Sequence, residues 1–224
     1  MLQLTPLSEL PYSCLLLTLD SLTILLNAGS PDGLLPHSLP SQLDFILLSH
    51  ATPAHINALP RIALNHPHTQ IHCTVPVTTL GRLAILERTP PGPTVTDAKP
   101  DPDEDIEYLT PKDVDRAFDR ITPLRYSQPV MLPNGVTITA YAAGHSIGGT
   151  IWNIRKDQEN IVVMIDWNHA KERMVGGTLD AKIQRLLERA SCVITDVRGA
   201  SIERLPTRKI REQFLIGTPL PGLK

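Results

Sequence analysis

"LLSHATPAHINALP", residues 47–60, is the stretch whose reading decides the rest. An apolar strand runs into Ser49-His50, a turn follows, and His55 comes five residues after His50, in the manner of a metal-binding loop with two ligands missing. Thr52-Pro53 reads as a helix N-cap followed by proline at the first helical position, where the missing N–H costs nothing. Proline also biases Thr52 toward extended backbone, which suits a cap, and Ala54 adds helix propensity.

Outward from this loop, short runs rich in Leu, Ile, Val and Thr at 13–19, 22–26, 44–49, 71–77, 136–142, 150–155, 160–165 and 191–195 have the pattern of strands. Helix-period segments lie at 54–64, 77–88, 111–119 and 179–189. Hairpins mixed with helices predict α/β layers with a mixed sheet, not a strict βαβ alternation. Asp20-Ser21 predicts the turn of a buried hairpin, and "LPNGV" at 132–136 carries an Asn-Gly turn signal. Residues 90–107, "PPGPTVTDAKPDPDEDIE", hold five prolines among acids and predict a solvated surface loop. The final "IGTPLPGLK" has no periodicity and predicts a frayed tail.

The chain has 224 residues, 42% of them hydrophobic, enough for a substantial core. Its net charge of −2 argues neither for nor against nucleic acid, so such a role must come from local patches or partners. Cys14, Cys73 and Cys192 lack CxxC spacing and read as reduced core residues. The apolar N-terminal stretch is interrupted by Asp20, and neither run approaches the roughly 20 residues a bilayer needs. The expectation is a soluble, intracellular chain with no membrane partner.

Three segments share one feature. His50 and His55, His145 in "AGHSIGGTIWNI" and Asp166 in "IVVMIDWNH" each follow a strand-like run. Four groups able to bind metal thus fall at strand ends, where loops gather on one side of a sheet.

These segments, in this order, resemble the metallo-β-lactamase fold. Together with "DVDRAFDRITPLRYSQPV" (113–130) and "CVITDVRGASIERLPTRKIREQFL" (192–215), they are most similar to its β-CASP branch, and within that to the catalytically inactive subunit family of the cleavage and polyadenylation specificity factor. The resemblance covers residues 1–215. It implies an αββα sandwich present as its N-terminal portion, with residues 1–208 in the metallo-β-lactamase-like domain. Residues 209–224 would begin a truncated β-CASP connection or tail, the β-CASP insertion itself being absent together with one further histidine.

Active members of the branch carry an H-x-H-x-D-H motif. On this chain its first and last histidines match His50 and His55, while Thr52 and Ala54 stand at the second His and the Asp. An early acidic residue in a D-x-G pattern falls on Asn27, the later histidine matches His145, and the metal-bridging carboxylate matches Asp166. One metal site would keep His50, His145 and Asp166 without a Thr52 ligand; the other would keep only His55 and Asp166. Two-metal hydrolysis needs both ions about 3.5–4 Å apart, so the resemblance implies no catalysis and no cofactor. The alternative is a single zinc held by His50, His145 and Asp166 in a metallo-hydrolase or nuclease. The implied role is a nuclear scaffold in pre-mRNA 3′-end processing, with the active zinc endonuclease paralogue, other cleavage and polyadenylation subunits and pre-mRNA as partners.

Other candidates read more plainly. His66, His68 and His72 in "NHPHTQIHC" suit a turn entering a strand better than a metal site, and His169 reads as a neighbour of the pocket. Ser146 lacks a G-x-S-x-G setting. Arg198, Arg204, Arg208, Lys209 and Arg211 are candidate RNA contacts or a solvated linker.

Overall fold

A computed structural model describes residues 1–89, 109–169, 177–178 and 181–196. The Pro-rich acidic segment, the basic run from Arg198 to Arg211, the tail and the boundary near residue 208 lie outside the described residues.

The first sheet has six strands in the order of the sequence. Strands β1 (Leu2–Pro6), β2 (Leu15–Leu19) and β3 (Leu22–Leu26) form an antiparallel meander. To this, β4 (Phe45–Leu47), β5 (Gln70–Thr74) and β6 (Ile121–Leu124) add in parallel. Parallel neighbours need crossovers. These are supplied by α1 (Pro53–Ile56) and α2 (Leu59–Asn65) before β5, and by α3 (Val75–Arg88) and α4 (Pro111–Asp119) before β6. The second sheet joins β7 (Pro129–Met131), β8 (Thr137–Ala142), β9 (Thr150–Lys156) and β10 (Glu159–Met164) in antiparallel fashion. The helix α5 (Ala181–Glu188) then leads to β11 (Cys192–Thr195), parallel to β10.

Alternation along the strands divides the core into layers. Ile24, Leu26, Phe45 and Leu47 of the first sheet meet Ile138, Trp152, Ile154 and Val163 of the second. The opposite face of the first sheet, through Leu25, Ile46, Ile71 and Cys73, packs on Ile56, Ile62, Val77 and Phe118 of the helices. On the outside of the second sheet, Ile151 and Val162 are covered by Leu186 and Leu187. Helix, sheet, sheet, helix is thus the order of the layers, as the motif resemblance implies. Burial pushes the thiols of Cys14 and Cys73 up to about 12, so both remain protonated core groups.

The helix expected at 54–64 is two helices. Asn57, between them, exchanges side-chain hydrogen bonds with the backbone of Ser30, and Pro60 lies in the first turn of α2. Both turn signals hold: Asp20-Ser21 links β2 to β3, and Asn134-Gly135 links β7 to β8, with positive φ at Asp20, Asn134 and Gly135. Among the described residues no helix is long and apolar enough to cross a membrane.

Candidate functional site

Asn27, Ser49 and Thr74 each follow the last residues of a first-sheet strand or end one, and the loop between β8 and β9 arrives over them from the second sheet. Thr150 donates its N–H to the Ser49 carbonyl at 2.9 Å, and the Thr74 hydroxyl donates to the Gly148 carbonyl at 2.7 Å. The two sheets are therefore stitched together where their strand ends meet.

Asn27, the residue at the acidic position of the resembled motif, organises the first-sheet side. It is 1% exposed and sits at φ 62°, a left-handed conformation that asparagine tolerates better than most residues. Its Oδ1 accepts both the N–H of Ser49 at 2.7 Å and the Ser49 hydroxyl at 2.9 Å, while its Nδ2 donates to Ser13 Oγ at 3.0 Å. With the Ser49 proton directed at Asn27, the 2.8 Å contact between Ser49 Oγ and His50 Nδ1 requires the histidine to donate. His50 therefore donates through Nδ1, and its Nε2 is turned toward the opposing loop.

That loop closes tightly on the ring. A Cβ on Gly149 would stand 2.8 Å from His50 Nε2 and 2.8 Å from Ser146 Oγ, so only glycine lets the backbone come so close. The Tyr126 hydroxyl donates to the Gly149 carbonyl at 2.8 Å, and burial pushes its own titration up to about 12, keeping it a neutral donor. His55 lies beside His50, ring centroids 4.9 Å apart, and its Nδ1 pairs with the Thr52 hydroxyl at 2.7 Å. Thr52 is the N-cap of α1 by position, with Pro53 following, but its hydroxyl serves His55 instead of a backbone N–H. This corrects the capping role expected of that side chain. Ala54 has a different importance: its carbonyl accepts from Ser13 and abuts Gly29, where any Cβ would fall 1.8 Å from the carbonyl oxygen.

The second-sheet side is looser. His145 Nε2 is 3.6 Å from Asp166 Oδ1, and Asp166, at φ 51°, donates its N–H to the Asp196 carboxylate at 3.1 Å. Asp166 is partly exposed. Trp167 donates to Thr195 at 3.1 Å, and His169 stands exposed near the Trp167 ring. Zinc in the reading that keeps His50, His145 and Asp166 needs three donors aimed at one point about 2 Å away. Among the described residues no three His, Cys, Asp or Glu side chains assemble in that way. His50 Nε2 faces Gly149 and Ser146, while His145 and Asp166 pair with each other on the more exposed side.

The histidines of 66–72 do not gather. His66 ends α2, where Arg120 clasps the carbonyls of Ala63, His66 and Thr69; His68 is exposed; His72 is buried in β5. Burial holds His72 below the ordinary imidazole range, partly offset by the Thr122 backbone. Sequence reading missed Ser13, Ser49 and Asp196, and weighed Ser146 only as a nucleophile. Position alone marks them, each lying within two residues of a strand end or a motif histidine.

A six-on-five sandwich clad in helices, with histidine- and aspartate-bearing loops meeting at one end of its strands, defines the class, and the chain belongs to the metallo-β-lactamase superfamily: the profile of the metallo-beta-lactamase superfamily domain matches residues 16–194. Within it, the chain is 34% identical over 213 residues to "Cleavage factor two protein 2" of Schizosaccharomyces pombe, covering 92% of this chain and 25% of that protein. It is 33% identical over 230 residues to "Cleavage and polyadenylation specificity factor subunit 2" of Oryza sativa subsp. japonica, covering 95% of this chain and 29% of that protein. These are the proteins to which the motif resemblance points, and the chain spans about a quarter of their length. Among solved structures, a subclass B3 metallo-beta-lactamase from a soil metagenome library aligns with a TM-score of 0.48 at 15% identity, over 92% of this chain and 80% of that one.

Proposed function

We propose that this domain serves a non-catalytic subunit of the nuclear machinery that cleaves and polyadenylates pre-mRNA, scaffolding an active zinc endonuclease paralogue and helping to position RNA. The observation that carries this reading is the 33–34% identity, over more than nine-tenths of the chain, to proteins named for that process. The site supports the non-catalytic part. Thr52, a neutral hydroxyl and poor zinc donor, is turned onto His55, and the donors available for a single zinc are split between a buried and an exposed side.

Two measurements on the full-length protein test it. In a reconstituted cleavage complex, the His50→Ala, His145→Ala double variant is expected to leave pre-mRNA cleavage within about twofold of the parent, once assembly is verified. A loss beyond about tenfold in an intact complex overturns the proposal and favours a single-zinc hydrolase that activates water. Elemental analysis of the same pair separates the cases independently: about one zinc per parent chain, absent from the variant, would count for the hydrolase.

A further inference from the structure

Away from the site, the outer face of the second sheet carries a cleft of about 450 Å³ between β9, the β9–β10 turn and α5. Its cations come from two elements. Strand alternation, which sends Trp152 and Ile154 into the inter-sheet core, sends Asn153 and Arg155 outward. From the other wall, Lys182, Arg185 and Arg189 face in at spacings of three and four, along about 10 Å of helical rise. The acids lining the cleft are Asp157 and Glu159, and Glu159 already accepts from the Ser191 hydroxyl at 2.7 Å. Four cations thus face two carboxylates, in a chain whose net charge is −2. Among the described residues, Arg155, Arg185 and Arg189 have no ion-pair partner.

The cleft is also built. Asn153 donates to Asn160 Oδ1, Asn160 Nδ2 donates to the Arg189 carbonyl at 2.8 Å, and the Asn160 N–H donates to Ser191 Oγ at 2.9 Å. These bonds fasten the end of α5 to the sheet, and Leu186 and Leu187 anchor the helix from beneath. Arg189 therefore lines the cleft from a fixed backbone, and Arg155, which also lines it, lies directly opposite Asn160 in the strand ladder.

We propose that this cleft, through Arg155, Lys182, Arg185 and Arg189, binds the phosphate backbone of single-stranded RNA without reading its sequence. The choice of RNA rests on the function proposed above; the charge and the lining stand on their own. A protein partner is the weaker fit, because protein interfaces centre on buried apolar or aromatic anchors and this cleft offers only Leu186 and Tyr141 amid polar groups. Guanidinium groups suit phosphate oxygens by their planar fork, and phosphate contacts need no apolar centre.

The test uses the 224-residue chain, a fluorescent 12-nucleotide RNA of mixed sequence, and anisotropy titrations between about 50 and 200 mM salt. Each phosphate contact on single strands contributes about −0.7 to the slope of log affinity against log salt. Arg155→Gln, Arg185→Gln, Arg189→Gln is expected to weaken binding at least about tenfold and make the slope shallower by about 2, with unchanged thermal melting. Arg88→Gln with Arg125→Gln, which removes charge elsewhere, is expected to stay within about threefold. The single variant Arg185→Glu gives an independent reading should the triple variant fold poorly, and is expected to weaken binding about fivefold or more. No RNA binding by the parent, or a triple variant within threefold of it, overturns the proposal. So does loss of a poly-glutamate peptide while RNA binding is kept, which assigns the cleft to an acidic protein segment. A cleft-neutralised protein that binds RNA normally and still supports pre-mRNA cleavage overturns this inference alone.

Discussion

His50 and His55, on the loop that follows β4, are 0% exposed, whereas across the strand ends His145 keeps a side chain that is 54% exposed and Asp166 one that is 17% exposed. The contrast extends to what holds them. On the first-sheet side a relay runs from Ser13 through Asn27 and Ser49 to His50, and each link satisfies a group that burial has removed from water. On the second-sheet side His145 and Asp166 meet at 3.6 Å, and the Asp166 N–H bonds to the Asp196 carboxylate. Buried polar groups cost free energy unless bonded, so the first side is bound into the stability of the fold while the second remains free to change. Residues that would be equivalent partners around a metal are here unequal: His50 and His55 are core, whereas Asp166 is partly and His145 largely exposed.

The sharpest way to break the comparison is at Gly29. Its backbone lies so close to Ala54 that a Cβ would stand 1.8 Å from the carbonyl oxygen, far inside contact distance, and 2.9 Å from Ser13 N. Neither neighbour is a flexible side chain. Gly29→Ala is expected to cost about 4 kcal/mol or more, or to prevent folding, as read by chemical denaturation. A stable variant would mean that the His55 loop can shift away from β3, and the first side would lose its claim to rigidity.

Asn27 comes next. Asn27→Gly removes the acceptor for two buried donors of Ser49 without straining the backbone, and is expected to cost about 2–3 kcal/mol. Asn27→Ala loses the same bonds and must also hold a Cβ at φ 62°, which adds about 1 kcal/mol. Denaturation of the two variants side by side separates hydrogen bonding from strain. Equal stabilities would show that the left-handed conformation is not maintained once the relay is cut.

The central strands and the position of the site could be read from the sequence because both follow from repetition or from chemistry rare in a core. Runs such as "LTILL" and "IVVM" repeat apolar residues as buried strands do, and a histidine or aspartate directly after one stands out. The strands missed, β1, β6 and β7, all lie at sheet edges. There one side is unpaired, proline is tolerated, and the segments "LQLTP", "ITPL" and "PVM" each contain one. The relay was illegible for another reason. Ser13, Asn27 and Ser49 belong to three separate segments, and only the pairing of β3 with β4 and the return of the chain past Ala54 bring them together. A serine carries no periodic signal, so its meaning comes from the neighbours the fold provides.

His145 provides the finest test of the contrast, because it is the smallest effect expected. Its side chain is more than half in solvent, and its partner Asp166 has a second tether, the N–H bond to Asp196, that does not depend on it. Exposed ion pairs contribute little, since water and salt screen the charges and ordering the side chains costs entropy. His145→Ala is therefore expected to change stability by less than about 0.5 kcal/mol, with denaturation midpoints insensitive to added salt. The same truncation at His50 would empty a buried space and remove the hydrogen bond that the Ser49 hydroxyl accepts, so similar losses at the two positions would abolish the distinction between the halves. A large loss at His145 would go further, showing that the loop between β8 and β9 transmits stability to the rest of the sandwich through its histidine and not only through the backbone bonds of Thr150 and Gly148.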